Sequence, residues 1–216
     1  MTLKELVAPM SLMVSAALLL AAATGFLIVP ADAILPIHWG IDGRPDGFAP
    51  RNTALLMPIG IAAVLFGLYA IMARYGARGQ VERGRHLLRG LLPALLGVFL
   101  VIEIGVVLVG VGAEVDMARM LVLAVAVLLM VMGNLLPKTQ PNHFAGIRLP
   151  WMMNHALAWQ AGHRVAGNAS IVAGLLLMLL AIVTGAAPVL FAGMLAALVL
   201  PMVAGSAVGW RVSRQA

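Results

Sequence analysis

The residues able to do chemistry in this chain are few, and they gather in two places. Three of the five histidines, His143, His155 and His163, fall in GNLLPKTQPNHFAGIRLPWMMNHALAWQAGHR, residues 133–164. The same segment holds Asn134, Lys138, Asn142, Arg148, Trp151 and Arg164. A second group, His38, Trp39, Asp42 and Asp46, lies in ADAILPIHWGIDGRPDGFAPRN at 31–52. One acid, Glu103, stands alone in an apolar run.

Each group suggests a chemistry and also a plainer alternative. One imidazole and two carboxylates at 38–46 are donors a divalent metal can use. Gly40, Gly43 and Pro45 interrupt them, so no helical face holds them together. The alternative has Asp42 and Asp46 closing turns while His38 and Trp39 pack at an interface. We expect no metal and no cofactor. In the second group, residues 154–167 are compatible with a helix that puts His155, Trp159 and His163 on one face. Eight residues span about 12 Å of helix, too far for both histidines to grip one ion. The alternative is an amphipathic helix lying on the membrane surface. No Ser-His-Asp set, nucleotide loop or Glu-flanked histidine pair is present. The absence of cysteine excludes disulfides and thiolate chemistry.

The segment 133–164 also reads as a docking surface. A helix ending at Asn134 leaves free carbonyls, which Lys138 complements. Asn142 suits a turn and Gly146 a positive-φ position. Arg148, before Pro150 and Trp151, is placed to bind a headgroup phosphate or stack on the indole. The three prolines stiffen the segment. We therefore expect Asn134, Lys138, Asn142, Arg148 and Trp151 to converge on one cytoplasmic pocket, with Arg148 as the principal anion or partner contact.

The elements that must position these groups are membrane spans. The chain has 216 residues, 62% hydrophobic and 10% charged, a membrane composition. Six apolar stretches, near 8–30, 53–73, 90–112, 117–136, 167–186 and 188–210, are each long enough to cross about 30 Å of hydrocarbon as a helix. The first resembles a secretory signal ending at ADA (31–33), but its apolar run is too long and Lys4 is offset by Glu5, so we retain it as a helix. The net charge of +6 does not form one patch, which argues against direct nucleic-acid binding. Lys4, Arg74, Arg78, Arg83, Arg85, Arg89, Lys138, Arg148, Arg164, Arg211 and Arg214 fall on one side of the spans, and only Arg44, Arg51 and Arg119 on the other. The rule that basic loops stay inside then puts both termini in the cytoplasm. The expected fold is all-α and polytopic, in three parts: a helical hairpin with its outer loop at 1–74, a central hairpin at 75–132, and the inner loop with a last hairpin at 133–216.

Smaller features follow. The 31–52 loop reads as a series of turns. The basic, glycine-broken stretch 74–89 reads as a loop at anionic headgroups. Ala17, Ala21 and Gly25, and Gly205 and Gly209, have the spacing of close helix seams. Glu103 should face the interior, paired or protonated. It reads either as a proton relay or cation ligand, or as one neutral acid hydrogen-bonded across helices.

Two motifs carry a resemblance. Leu35, Pro36, His38, Trp39, Gly43, Pro45, Asp46 and Gly47 resemble LPxHWxxxGxPDG, the signature of a small bacterial membrane domain of unknown function. Gly133, Asn134, Leu136, Pro137, Lys138, Pro141, Asn142, Gly146, Ile147, Arg148, Pro150 and Trp151 resemble GNxLPKxxPNxxxGIRxPW of the SdpI-like multi-pass membrane proteins, and Trp159, His163, Arg164 and Gly167 continue the pattern. The resemblance implies a non-enzymatic protein of the bacterial cytoplasmic membrane, in contact with lipid. It implies immunity against a secreted toxic peptide and recruitment of a transcriptional repressor, with His163 and Arg164 joining the partner-binding set. Two other classes remain: a proton-coupled transporter or exporter using Glu103, and a membrane enzyme acting on lipid or cell-wall intermediates through His143, His155 or His163.

Overall fold

A computed structural model describes residues 2–215. Its order is α1 (Leu3–Leu6), α2 (Pro9–Ile28), β1 (Ile34–Trp39), β2 (Pro45–Pro50), α3 (Arg51–Tyr75), α4 (Arg78–Gly110), α5 (Met117–Leu135), α6 (Pro150–Met153), α7 (Ala156–Val183) and α8 (Ala187–Ser213). Six of these helices, α2, α3, α4, α5, α7 and α8, are long and apolar enough to cross a membrane. Their outer faces keep large apolar side chains uncovered: Leu27 is 85% exposed and Val183 75%. Such faces suit hydrocarbon, where no polar backbone group is left unpaired along a helix.

The spans pack in sequence. α2 and α3 lie against α4, α4 against α5, α5 against α7, and α7 against α8. Close crossings set this order. A Cβ on Gly133 of α5 would sit 2.5 Å from the Gly167 carbonyl of α7. A Cβ on Gly162 would sit 2.7 Å from the Gly205 carbonyl of α8. Without side chains at these points the backbones touch, which is how helices gain packing energy in lipid. Gly205 lies in such a seam, as expected, whereas Gly25 makes room for the side chains of Val107 and Leu55 and Gly209 for that of Met152, and Ala17 and Ala21 are not buried. Ser11, Leu18 and Ala22 take the inward face of α2 instead.

Three local readings are corrected. The stretch 74–89 is mostly helix, because α4 begins at Arg78. Each glycine inside a helix costs about 1 kcal/mol, and burial of Val81, Leu87 and Leu88 outweighs that cost. Residues 156–167 are not a surface helix but the first turns of α7, with Trp159, His163 and Ala166 wholly buried. The 31–52 loop is an antiparallel hairpin rather than a string of turns. Its strands pair Leu35 with Ala49 and His38 with Gly47 around a tight turn, where the Gly40 amide donates to the Arg44 carbonyl at 2.9 Å. Gly43 supplies the positive φ, +78°, that this turn needs. Leu35 and Ala49 point inward, and Leu35 packs with Val29, Leu55 and Val106. By the alternation of the spans, the hairpin shares one end of the bundle with residues 111–116 and 184–186, and residues 136–155 occupy the other.

Candidate functional site

After α5 the chain tightens into a single 3-10 turn, Leu136–Lys138, and then runs irregularly to α6. What holds this segment is a buried polar network. Asn142 is fully buried and uses its whole hydrogen-bonding capacity. Its Nδ2 donates to the carbonyls of Gln140 (2.8 Å) and Ala145 (3.0 Å), and its Oδ1 accepts from the amides of Phe144 (2.9 Å) and Ala145 (2.8 Å). It rests on Gly84 of α4, where a Cβ would approach its Oδ1 to 3.0 Å. The Gln140 amide also donates to the Arg83 carbonyl at 3.1 Å. The segment is thereby pinned to the start of α4.

Trp159 and His163 pin it to α7. The Trp159 indole donates to the backbone and side-chain oxygens of Thr139, each at 3.1 Å. The His163 ring stacks on the indole, with centroids 4.0 Å apart. His163 Nε2 accepts from the Ile147 amide at 2.8 Å, so the proton is on Nδ1, which donates to the Trp159 carbonyl at 2.8 Å. Both ring nitrogens are committed to backbone, which leaves neither for a substrate, proton or metal. Gly146, with φ +113°, passes directly over this pair. A Cβ there would lie 2.5 Å from His163 Nε2.

Beside the network lies an open cavity of about 280 Å³, lined by Gln80, Arg83, Pro141, His143, Arg148, Pro150, Met153 and Asn154. Arg148 donates to the His143 carbonyl at 2.6 Å, and Arg83 reaches the Pro141 carbonyl at 3.5 Å. Of the residues expected to converge, only Arg148 reaches this cavity. Asn142 and His163 are buried in the network behind it. Trp151 instead donates to the Ser206 carbonyl of α8 at 3.4 Å, and no cation lies over its ring among the described residues. Asn134 and Lys138 pair with each other on the surface at 3.3 Å, and Arg164 is exposed on α7. Gln80, Arg83 and Asn154 were not expected. Gln80 and Arg83 stand three residues apart, a helical spacing visible only once 78–89 is read as helix. His155 precedes α7 as its N-cap residue, without a side-chain cap bond.

At the hairpin end, His38 Nδ1 meets Asp46 Oδ1 at 2.5 Å across the strands, both side chains more than half exposed. The Asp42 carboxylate accepts from the Arg44 amide at 3.1 Å, a turn bond. Trp39 is partly buried against the apolar cluster that contains Leu35 and Val29. Among the described residues no three His, Asp or Glu side chains come together as a metal site. Glu103 is fully buried, one turn before Val107, the residue that meets Gly25 of α2. Neither carboxyl oxygen has a hydrogen-bond partner among the described residues, so the bond across helices that one of the two readings called for is not formed there.

Six apolar helices closed at one end by a hairpin and at the other by an internally bonded polar segment define a multi-pass helical membrane protein. Its sequence matches the SdpI/YfhL protein family over residues 138–205 and a domain of unknown function, DUF1648, over residues 14–62. It is similar to the immunity protein SdpI of Bacillus subtilis (strain 168), 22% identical over 152 residues that cover 70% of each chain. No solved structure matches it. The resemblance read in the two sequence motifs is thus shared by two family matches and a curated relative.

Proposed function

We propose that this is a non-enzymatic immunity protein of the bacterial cytoplasmic membrane, protecting its host from a secreted toxic peptide. The observation that supports the reading is the likeness to an immunity protein over 70% of both chains. In this reading both termini and the 136–155 segment face the cytoplasm, because basic residues crowd that end. The hairpin at 34–50 then faces outward, where a toxin arrives. The cavity at Arg83 and Arg148 is the inward working surface, and a repressor drawn to the membrane docks around it. No catalytic step is assigned.

The test is a growth assay. A peptide-sensitive bacterium lacking its own immunity protein is made to express this chain and is challenged with the toxic peptide encoded nearest to it. Survival is the expected result. Death at an undiminished membrane level of the protein would refute the immunity reading. Repressor recruitment is read separately, by fractionating a tagged repressor between membrane and cytosol with and without the peptide.

A further inference from the structure

We propose that the cavity between α4 and the 136–155 segment is a phosphate-binding site, in which Arg83 and Arg148 clamp one phosphoryl group. This rests on the cavity being the inward working surface named above. Two guanidinium groups line one small cavity with His143, Asn154 and Gln80. Arg148 spends one N–H on the His143 carbonyl at 2.6 Å, which directs its guanidinium and leaves the rest of its fork free, while Arg83 lies 3.5 Å from the Pro141 carbonyl. Neither has a carboxylate partner among the described residues. The acid next to Arg83 in sequence, Glu82, pairs with Arg85 at 3.2 Å and lines a separate cavity.

Two like charges facing one space repel each other unless an anion sits between them, and a planar fork matches phosphate oxygens in pairs. Gln80, one turn before Arg83 on α4, lines the same cavity. The volume, about 280 Å³, falls just below the range of about 300–1,000 Å³ typical of drug-sized ligands. It suits a headgroup or a small phosphate ester. The clamp brings α4 and the loop together, and its α4 half, Gln80 and Arg83, lies outside both matched segments. A phosphate held here ties the segment to α4.

The source is either a phospholipid headgroup or a soluble phosphate, and the assay separates them. The full chain, purified in a neutral detergent, is titrated with inorganic phosphate and, separately, with short-chain phosphatidylglycerol, and thermal unfolding is followed. We expect a saturable rise in the midpoint with at least one probe. Saturation by both marks a general phosphoryl site, and saturation by the lipid alone marks a headgroup site. Arg83→Gln and Arg148→Gln should each weaken binding by about tenfold or more. Arg148→Lys keeps the charge and should still weaken binding several-fold, whereas Arg211→Gln, at the exposed end of α8, should not. Variants must unfold near the wild-type midpoint without ligand to be scored, and Arg148→Lys serves if a Gln variant does not. No saturable response to either probe, or equal weakening by Arg211→Gln, overturns the site. Neither result bears on toxin resistance, which needs no purified protein, so the two readings fail independently.

Discussion

Gly146→Ala isolates the contact that joins the 136–155 segment to α7. The backbone there has φ +113°, which a residue with a Cβ rarely adopts. Such strain costs about 1–3 kcal/mol. The new methyl would also lie 2.5 Å from His163 Nε2 and 3.0 Å from the Trp159 ring. Either the histidine moves, leaving the Ile147 amide unpaired for about 1 kcal/mol or more, or the segment lifts off α7. Together the two effects come to about 3 kcal/mol, roughly a hundredfold in the folding equilibrium. The control is Gly97→Ala in the interior of α4, where a Cβ meets nothing within 4 Å. Adding a methyl to a helix interior at an open site should be neutral, or stabilising by up to about 1 kcal/mol. Equilibrium unfolding in mixed micelles, read by tryptophan fluorescence, compares the two directly. Equal midpoints for both variants would refute the argument that Gly146 is held by close approach to His163.

Asn142→Asp should lower the level of folded protein in the membrane far more than Asn134→Asp, because Asn142 donates twice inside the segment while Asn134 only accepts from Lys138; burying the acid costs about 3 kcal/mol or more, and similar levels for both variants would sink the claim. Glu103→Gln should fold like the parent while Glu103→Lys should not accumulate in membranes, since Glu103 is fully buried without a partner among the described residues; equal damage from both would mean that a negative charge is required. The natural chain lacks cysteine, so Arg44→Cys should react with an impermeant maleimide on intact cells and Gln140→Cys only after permeabilisation; the reverse pattern would invert the proposed orientation.

What the sequence made legible was governed by periodicity and length. All six spans are visible as apolar runs, because a helix in lipid needs about 20 apolar residues in a row. The helix start at Arg78 was hidden, and residues 154–167 were legible as a helix but not as the buried first turns of α7. Residues 78–89 are polar on one side only, and their Val81, Leu87 and Leu88 are buried by α1, α3 and the 136–155 segment, which no local pattern announces. Asn142 and Gly146 were legible as turn residues, because side-chain size and φ preference are local properties. The roles of His163 and Trp159 were not. Their spacing suggested a shared face, but the partners on Thr139 and Ile147 come from a chain that doubles back 16 to 20 residues away. The cavity was half legible: Arg148 stands in a recognisable motif, whereas Arg83 meets it only through the fold.

The longest helix touches both ends of the molecule. α4 spans 33 residues, about 50 Å at 1.5 Å per residue. At one end Gly110 admits Val29 and Leu35, the residues that seat the hairpin, and at the other Gln80 and Arg83 form one wall of the cavity. Moved as one body it would act as a lever, with Pro93 inside it the place where it bends most readily. Pivoting by about 3° at the hairpin end would carry the far end sideways by about 2.6 Å, enough to open or close the grip on a bound group. Force applied at the hairpin would then arrive at the cavity as a change of gap width, without any helix having to unwind.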